Sequence, residues 1–154
     1  MKYKAYISRE AMDRISDHAE REYPDECCGI ITQDSERQTV HECENIQNRL
    51  HNDDPVTHIR DARTAYVIDR SEAEAIFSSA KERGDKVMAF YHSHTDHDAY
   101  FSETDEAAQT VFGEPEFPDA LHIVVSVKNG KTSHFRAFIW DGKEMAFRPV
   151  DLTT

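Results

Sequence analysis

Long apolar runs are missing from this 154-residue sequence. Nothing in it approaches the roughly 20 consecutive apolar residues that a membrane helix needs. The start, Met1-Lys2-Tyr3-Lys4-Ala5-Tyr6-Ile7, has no apolar core of the kind a secretory signal carries, so a soluble, unexported, cytoplasmic protein is expected. Cysteine is scarce and odd in number: Cys27 and Cys28 are immediate neighbours and Cys43 stands alone. That is no disulfide framework, which agrees with a reducing compartment. Basic clusters are also absent. Thirty acids face 18 bases, for a net charge of -12. A protein that tracks phosphates needs a basic stripe, so nucleic acid is excluded as a partner and an anionic membrane is disfavoured. A saline habitat would give the same acidity. With only 5 Gly and 5 Pro there is no linker to divide the chain. One domain spanning residues 1–154 is expected, long enough to bury a core.

What is present reads as an α/β alternation. Lys2 to Ile7 alternates like a short strand, and Ser8 caps a helix carrying Ala11-Met12, Ile15 and Ala19 at helical spacing up to Pro24. Cys27–Thr32 and, more weakly, Thr39–Asn45 predict strands. Ile46 to Arg63 is polar and irregular, which predicts a long surface loop where a partner would dock. Thr64–Ile68 resumes as strand. Ser71–Arg83 predicts a helix with Ala75-Ile76 and Ser79-Ala80 inward and Gly84 at its end. Lys86–Tyr91 is an apolar strand, and Ser102 opens a helix through Val111. Leu121–Val127, His134–Trp140 and Glu144–Val150 form an antiparallel meander with turns at Asn129-Gly130 and Asp141-Gly142. Trp140 and the late Phe residues read as core.

The stretch after the Lys86–Tyr91 strand carries the chemistry. His92, His94, Ser102 and Asp105 follow the pattern H-x-H-x(7)-S-x-x-D. Residues i and i+2 of a strand share a face, so both imidazoles can reach one ion, and Asp105 can return to it from the first turn of the next helix. Three protein donors leave the fourth position of a catalytic zinc open to a water whose pKa the metal lowers. Ser102 and Asp105 are also an ordinary helix start, since S-x-x-D approaches a capping box, and the two roles are compatible. Asp96, His97 and Asp98 are rival ligands or a solvated acidic turn. His41, His51, His58, His122 and His134 are scattered without metal spacing and read as surface or core histidines.

This pattern resembles the JAMM (MPN/Mov34-type) metallopeptidases, whose motif is completed by an upstream glutamate. Tyr23-Pro24-Asp25-Glu26-Cys27-Cys28-Gly29 is similar to that upstream segment in bacterial stand-alone members, which puts the glutamate at Glu26. The resemblance covers nearly the whole chain. It implies a single MPN-like domain, a mixed, mostly antiparallel sheet flanked by helices, with a deaminase-like architecture. It implies one zinc per chain held by His92, His94 and Asp105, with Glu26 moving protons and Ser102 stabilising the oxyanion. The implied activity is that of a zinc-dependent peptidase or isopeptidase. A metal-activated water would hydrolyse an amide bond at the C-terminal Gly-Gly of a ubiquitin-like sulfur-carrier protein. Thr95 and Phe101 depart from the family's usual prolines and bear on loop shape rather than on the metal. Cys27 and Cys28, on opposite faces of one strand, read as packing. A metal-free scaffold of the same fold is the alternative reading. A deaminase is disfavoured because its H-x-E with P-C-x-x-C pattern is absent.

Overall fold

The computed structural model describes residues 4–105, 110–111 and 114–154. A seven-stranded sheet runs through it in the order β1-β9-β8-β7-β4-β2-β3. The strands are β1 (Lys4–Tyr6), β2 (Cys28–Gln33), β3 (Gln38–Cys43), β4 (Lys86–Thr95), β7 (Leu121–Lys128), β8 (Lys131–Asp141) and β9 (Ala146–Thr153). Two pairings are parallel, β1 with β9 and β4 with β7, and the rest are antiparallel. A separate two-stranded ribbon joins β5 (Thr110–Val111) to β6 (Glu114–Pro115). The expected α/β fold with a mixed, mostly antiparallel sheet is what forms. Among the described residues no helix is long and apolar enough to cross a membrane.

Helix α1 (Arg9–Glu22) forms where the sequence predicts it. The Ser8 hydroxyl accepts the Ala11 N–H at 3.1 Å and so satisfies one of the free donors of the first turn. Ala11, Ile15 and Ala19 then bury one stripe against the sheet. They join Ile7, Cys27, Ile31, Ala89, Tyr91, Ile123 and Val125 in the larger core. Fully buried side chains such as Ile7 and Ile15 each contribute about 1.5–3 kcal/mol of transfer free energy. Helix α3 (Arg70–Arg83) covers the opposite face, packing Ala73, Ile76 and Phe77 on Cys28, Ile30 and Phe90. Gly84 ends it at φ 76° with its N–H returned to the last turn. Strand alternation thus sends residues 89 and 91 toward α1 and residue 90 toward α3. Gly29 admits no side chain, since a methyl there would overlap the ring of buried Tyr91.

Several expectations need correction. The 46–63 segment is not a bare loop: Gln47–Asp53 is a helix, α2, held at its start by Asn45, whose side-chain oxygen accepts the Gln47 N–H at 3.0 Å. Thr64–Ile68 is not a strand. It makes one isolated bridge, Ile68 to Asn45, because no second strand lies beside it to pair further. The helix expected from Ser102 to Val111 is helical at 103–105, while Thr110–Val111 is extended and paired. Residues 106–109 lie outside the described residues. In α3 the inward residues are Ala73, Ile76, Phe77 and Ala80, and Ala75 is exposed. Trp140 is half-buried, as β8 runs near the sheet edge where only one neighbour, β9, lies beyond it before β1. The meander forms as expected, with Asn129 and Gly130 both at positive φ in the first turn.

Candidate metal and catalytic site

Strand register builds the site. In the antiparallel β2–β4 pair, Cys28 stands opposite His92, and the Ser93 N–H donates to the Cys27 carbonyl at 3.1 Å. Carried two residues further, that register sets Glu26 beside His94. Phe90 faces α3, and strict alternation beyond it puts His92 and His94 on the same side. The short helical turn at 103–105 brings Asp105 over them. The Asp105 Oδ2 atom lies 3.1 Å from His92 Nε2 and 3.1 Å from His94 Nε2. All three residues are buried, and one ligand atom from each lies within 4.8 Å of the others. The group could hold a metal ion.

The chemistry of these donors fits a cation. His94 Nδ1 lies 2.9 Å from the carbonyl oxygen of Asp98, and a carbonyl only accepts, so Nδ1 carries the hydrogen. A neutral ring then turns a lone pair, not an N–H, toward the Asp105 carboxylate. A cation placed between that lone pair and the carboxylate, 3.1 Å apart, would be held by both. His92 Nε2 is buried without a hydrogen-bond partner, since its contact with Asp105 is not aligned as one. Burial lowers the His92 pKa, which keeps the ring in its ligating form. Tyr66 stacks on it with ring centres 4.4 Å apart. Burial pushes the Asp105 carboxyl up, but the His92 and His94 imidazoles and the Ser102 N–H outweigh it and hold the group well below the usual carboxylate range.

Glu26 is the second buried carboxyl, only 5% exposed, and its Oε1 has no partner. Burial first, and then the Asp105 charge, push it up to about 9, with Arg60 opposing. A cation among His92, His94 and Asp105 would oppose both effects. Its backbone is fixed from two sides: the Glu26 N–H donates to Ala62 O at 2.7 Å, and its carbonyl accepts Asn45 Nδ2 at 2.9 Å. Ser102 and Asp105 cap one another, as the helix-start reading expects. The Ser102 N–H donates to Asp105 Oδ2, and the Asp105 N–H donates to Ser102 Oγ, both at 3.0 Å. The structure therefore brings together all five residues singled out in the sequence: Glu26, His92, His94, Ser102 and Asp105.

Of the three rivals, His97 lines the cavity over the site, outside the His92–His94–Asp105 group, and the two acids are engaged elsewhere. Asp96 accepts the Tyr23 hydroxyl and the Asn129 N–H, each at 2.7 Å, and Asp98 pairs with Lys128 at 2.6 Å. Cys27, just before β2, and Cys28, its first residue, are buried in the cores on opposite sides of the sheet, and burial pushes both thiols up, Cys27 to about 12, which disfavours the thiolate a nucleophile needs. Phe101 packs on Phe138 and Phe147, and Thr95 Oγ1 donates to Arg63 O at 2.9 Å. His122 differs from the other scattered histidines. It is buried among Phe90, Phe101 and Phe147 with Nε2 unpartnered, and burial lowers its pKa to about 3.

A cavity of ≈ 480 Å³ opens over this set, lined by Glu26, His94, Ser102 and Asp105 together with Arg60 and Arg63. Sequence reading missed Tyr66, Asn45 and Arg60. None sits in a motif, and each reaches the site only because α2 and the following turns fold back on Glu26.

The family described as prokaryotic homologs of the JAB domain matches residues 8–139. Among curated proteins, the chain is 27% identical over 143 residues to a CysO-cysteine peptidase of Mycobacterium tuberculosis, covering 91% of this chain and 86% of that protein. It is 27% identical over 142 residues to a desampylase of Haloferax volcanii, covering 90% and 88%. Among solved structures, it resembles in fold a protein from Desulfitobacterium hafniense. The TM-score is 0.64 at 16% identity, over 96% of this chain and 90% of that one.

Proposed function

The chain belongs to the prokaryotic homologs of the JAB domain, and from that premise we propose that it is a zinc-dependent peptidase of JAMM type. Its substrate is an amide at the C-terminal Gly-Gly of a ubiquitin-like sulfur-carrier protein. The observation that carries the reading is the pairing of two buried sets: the His92–His94–Asp105 donors and, beside them, the unpartnered carboxyl of Glu26. A scaffold that only binds partners has no use for a buried carboxyl next to a cation site, which burial makes costly. The relatives named as a CysO-cysteine peptidase and a desampylase support hydrolysis of a ubiquitin-like carrier conjugate.

His92, His94 and Asp105 hold the zinc. Bound there, zinc supplies a Lewis acid that polarises the scissile carbonyl and makes water nucleophilic near neutral pH. Glu26 accepts the proton of the attacking water at its free Oε1 and returns it to the departing amine. The Ser102 hydroxyl, which accepts from the Asp105 N–H, keeps its own hydrogen to donate to the developing oxyanion. A Gly-Gly tail suits a buried centre because it brings no side chains into the approach, and extended main chain can pair with a strand edge.

The test is mass spectrometry of a Gly-Gly carrier extended by one residue and incubated with the zinc-loaded protein. Loss of the added residue is expected, abolished by chelator and restored by zinc. If carriers from its own organism stay intact while unrelated unfolded peptides are cut, the carrier assignment fails. If nothing is cut, the peptidase assignment fails as well.

A further inference from the structure

The cavity over the site has an unusual charge for this chain. Against a net charge of -12, two arginines, Arg60 and Arg63, line the same cavity as Glu26 and Asp105. They differ in what they already hold. Arg63 is engaged by Asp61 at 2.9 Å, whereas Arg60 has no carboxylate partner among the described residues and makes a long 3.4 Å contact from Nη1 to Thr64 O. The mount beneath Arg60 is firm. Buried Gln47 of α2 donates to the Arg60 carbonyl at 2.7 Å, Asn48 accepts the Ala62 N–H at 2.8 Å, and Ala62 O receives the Glu26 N–H at 2.7 Å. The backbone of Arg60 is therefore tied, two residues on, to the backbone of Glu26. A guanidinium with no carboxylate partner among the described residues, on a fixed mount in a cavity that Glu26 and Asp105 also line, is a site for an anion brought by the substrate.

We infer that Arg60 binds the α-carboxylate of the residue released by cleavage, and so selects conjugates in which the Gly-Gly tail is joined to the α-amine of a terminal amino acid. The inference rests on the peptidase reading above and narrows it. On the leaving side of a scissile amide, an α-carboxylate is attached to the carbon that bears the departing nitrogen, next to the group that protonates it. Glu26 and Asp105 would repel that carboxylate, and a planar guanidinium takes it in a forked pair of hydrogen bonds. A conjugate to a lysine side chain within a protein places no carboxylate there. Arg60 is a specificity residue on this account, and the acids lining the same cavity make its charge necessary.

The experiment compares two substrates with the zinc-loaded protein: a Gly-Gly carrier extended by one residue with a free carboxylate, and the same carrier ending in the carboxamide. Wild type is expected to favour the acid by about 10- to 100-fold in kcat/KM, the size of a hydrogen bond to a charged group. Arg60→Gln should bring the acid-to-amide ratio close to one, and Arg60→Lys, which keeps charge but loses the fork, should lie between. Binding of the uncleaved substrates to Glu26→Gln, read by calorimetry, should show the same preference. Equal cleavage of acid and amide by wild type overturns the inference and leaves the peptidase reading standing. An equal loss on both substrates in Arg60→Gln also overturns it, since Arg60 would then contact the carrier body or support the fold. Failure of wild type to cut either substrate defeats the peptidase reading and the inference with it.

Discussion

The Ser102 backbone N–H donates to the same oxygen of Asp105, Oδ2, that lies 3.1 Å from both His92 Nε2 and His94 Nε2. One carboxylate oxygen therefore serves as helix cap and as the anionic member of the ion site. The cap holds the Asp105 side chain in place before any ion arrives, which is the preorganisation a ligand needs.

Removing the imidazoles should remove the metal. A His92→Ala/His94→Ala variant is expected to lose bound zinc, with the fold kept, because β4 remains paired on both sides by β2 and β7. Asp105→Ala should also lose it. Asp96 and Asp98 cannot substitute, being held by Tyr23, Asn129 and Lys128. Elemental analysis of dialysed protein checks both, and full zinc occupancy in the double variant would refute the ligand set.

Ser102→Ala removes an acceptor from the Asp105 N–H and a donor from the cavity. The first loss should cost about 1 kcal/mol of stability. The second should lower kcat by about 10²–10³-fold with KM little changed. Thermal melting and steady-state kinetics on one preparation separate the two. A lowered melting temperature with unaltered kcat would leave Ser102 a cap alone.

Glu26→Gln keeps the shape but cannot take a proton. Zinc should be retained, and turnover should fall by about 10²–10⁴-fold, the usual contribution of a general base. The amide also relieves the buried charge, so stability should hold or rise. Loss of zinc in this variant would instead make Glu26 a ligand.

His122 supplies a pH dependence of stability. Its folded pKa is lowered to about 3 from the ordinary 6.5, chiefly by burial. The unfolded ring binds a proton that the folded ring refuses, so stability is complete above pH 6.5 and falls as pH drops toward 3. The full interval amounts to about 5 kcal/mol, comparable with the whole stability of a marginal domain. His122→Phe should flatten this slope in chelated protein. At neutral pH it should stabilise by about 1–3 kcal/mol, because an unpartnered ring nitrogen leaves the Phe90, Phe101 and Phe147 cluster. Denaturant melts at several pH values measure both, and an unchanged slope would mean the ring takes its proton without unfolding.

Local chemistry was legible in the sequence. Ser8 as cap, the Ala11–Ile15–Ala19 stripe, Gly84 as helix end and the Asn129-Gly130 hairpin each depend on neighbours within a turn or two, so pattern alone determines them. The closeness of His92 and His94 follows from strand alternation in the same way. Glu26 is different: it stands 66 positions before His92. Only the resemblance to a family singled it out, and only the β2–β4 register sets it beside His94. Helix α2 was illegible because its first turn is tied by the polar side chain of Asn45 and carries no apolar stripe. Arg60 and Tyr66 were illegible for a related reason, since their places depend on hydrogen bonds between the side chains of Asn45, Gln47 and Asn48 and backbone groups of the 60–67 segment, which no local periodicity signals. The sequence by itself determined which donors were available. Tertiary pairing decided which of the chain's 30 acids would be buried beside them, because burial depends on what packs around a residue rather than on the residue itself.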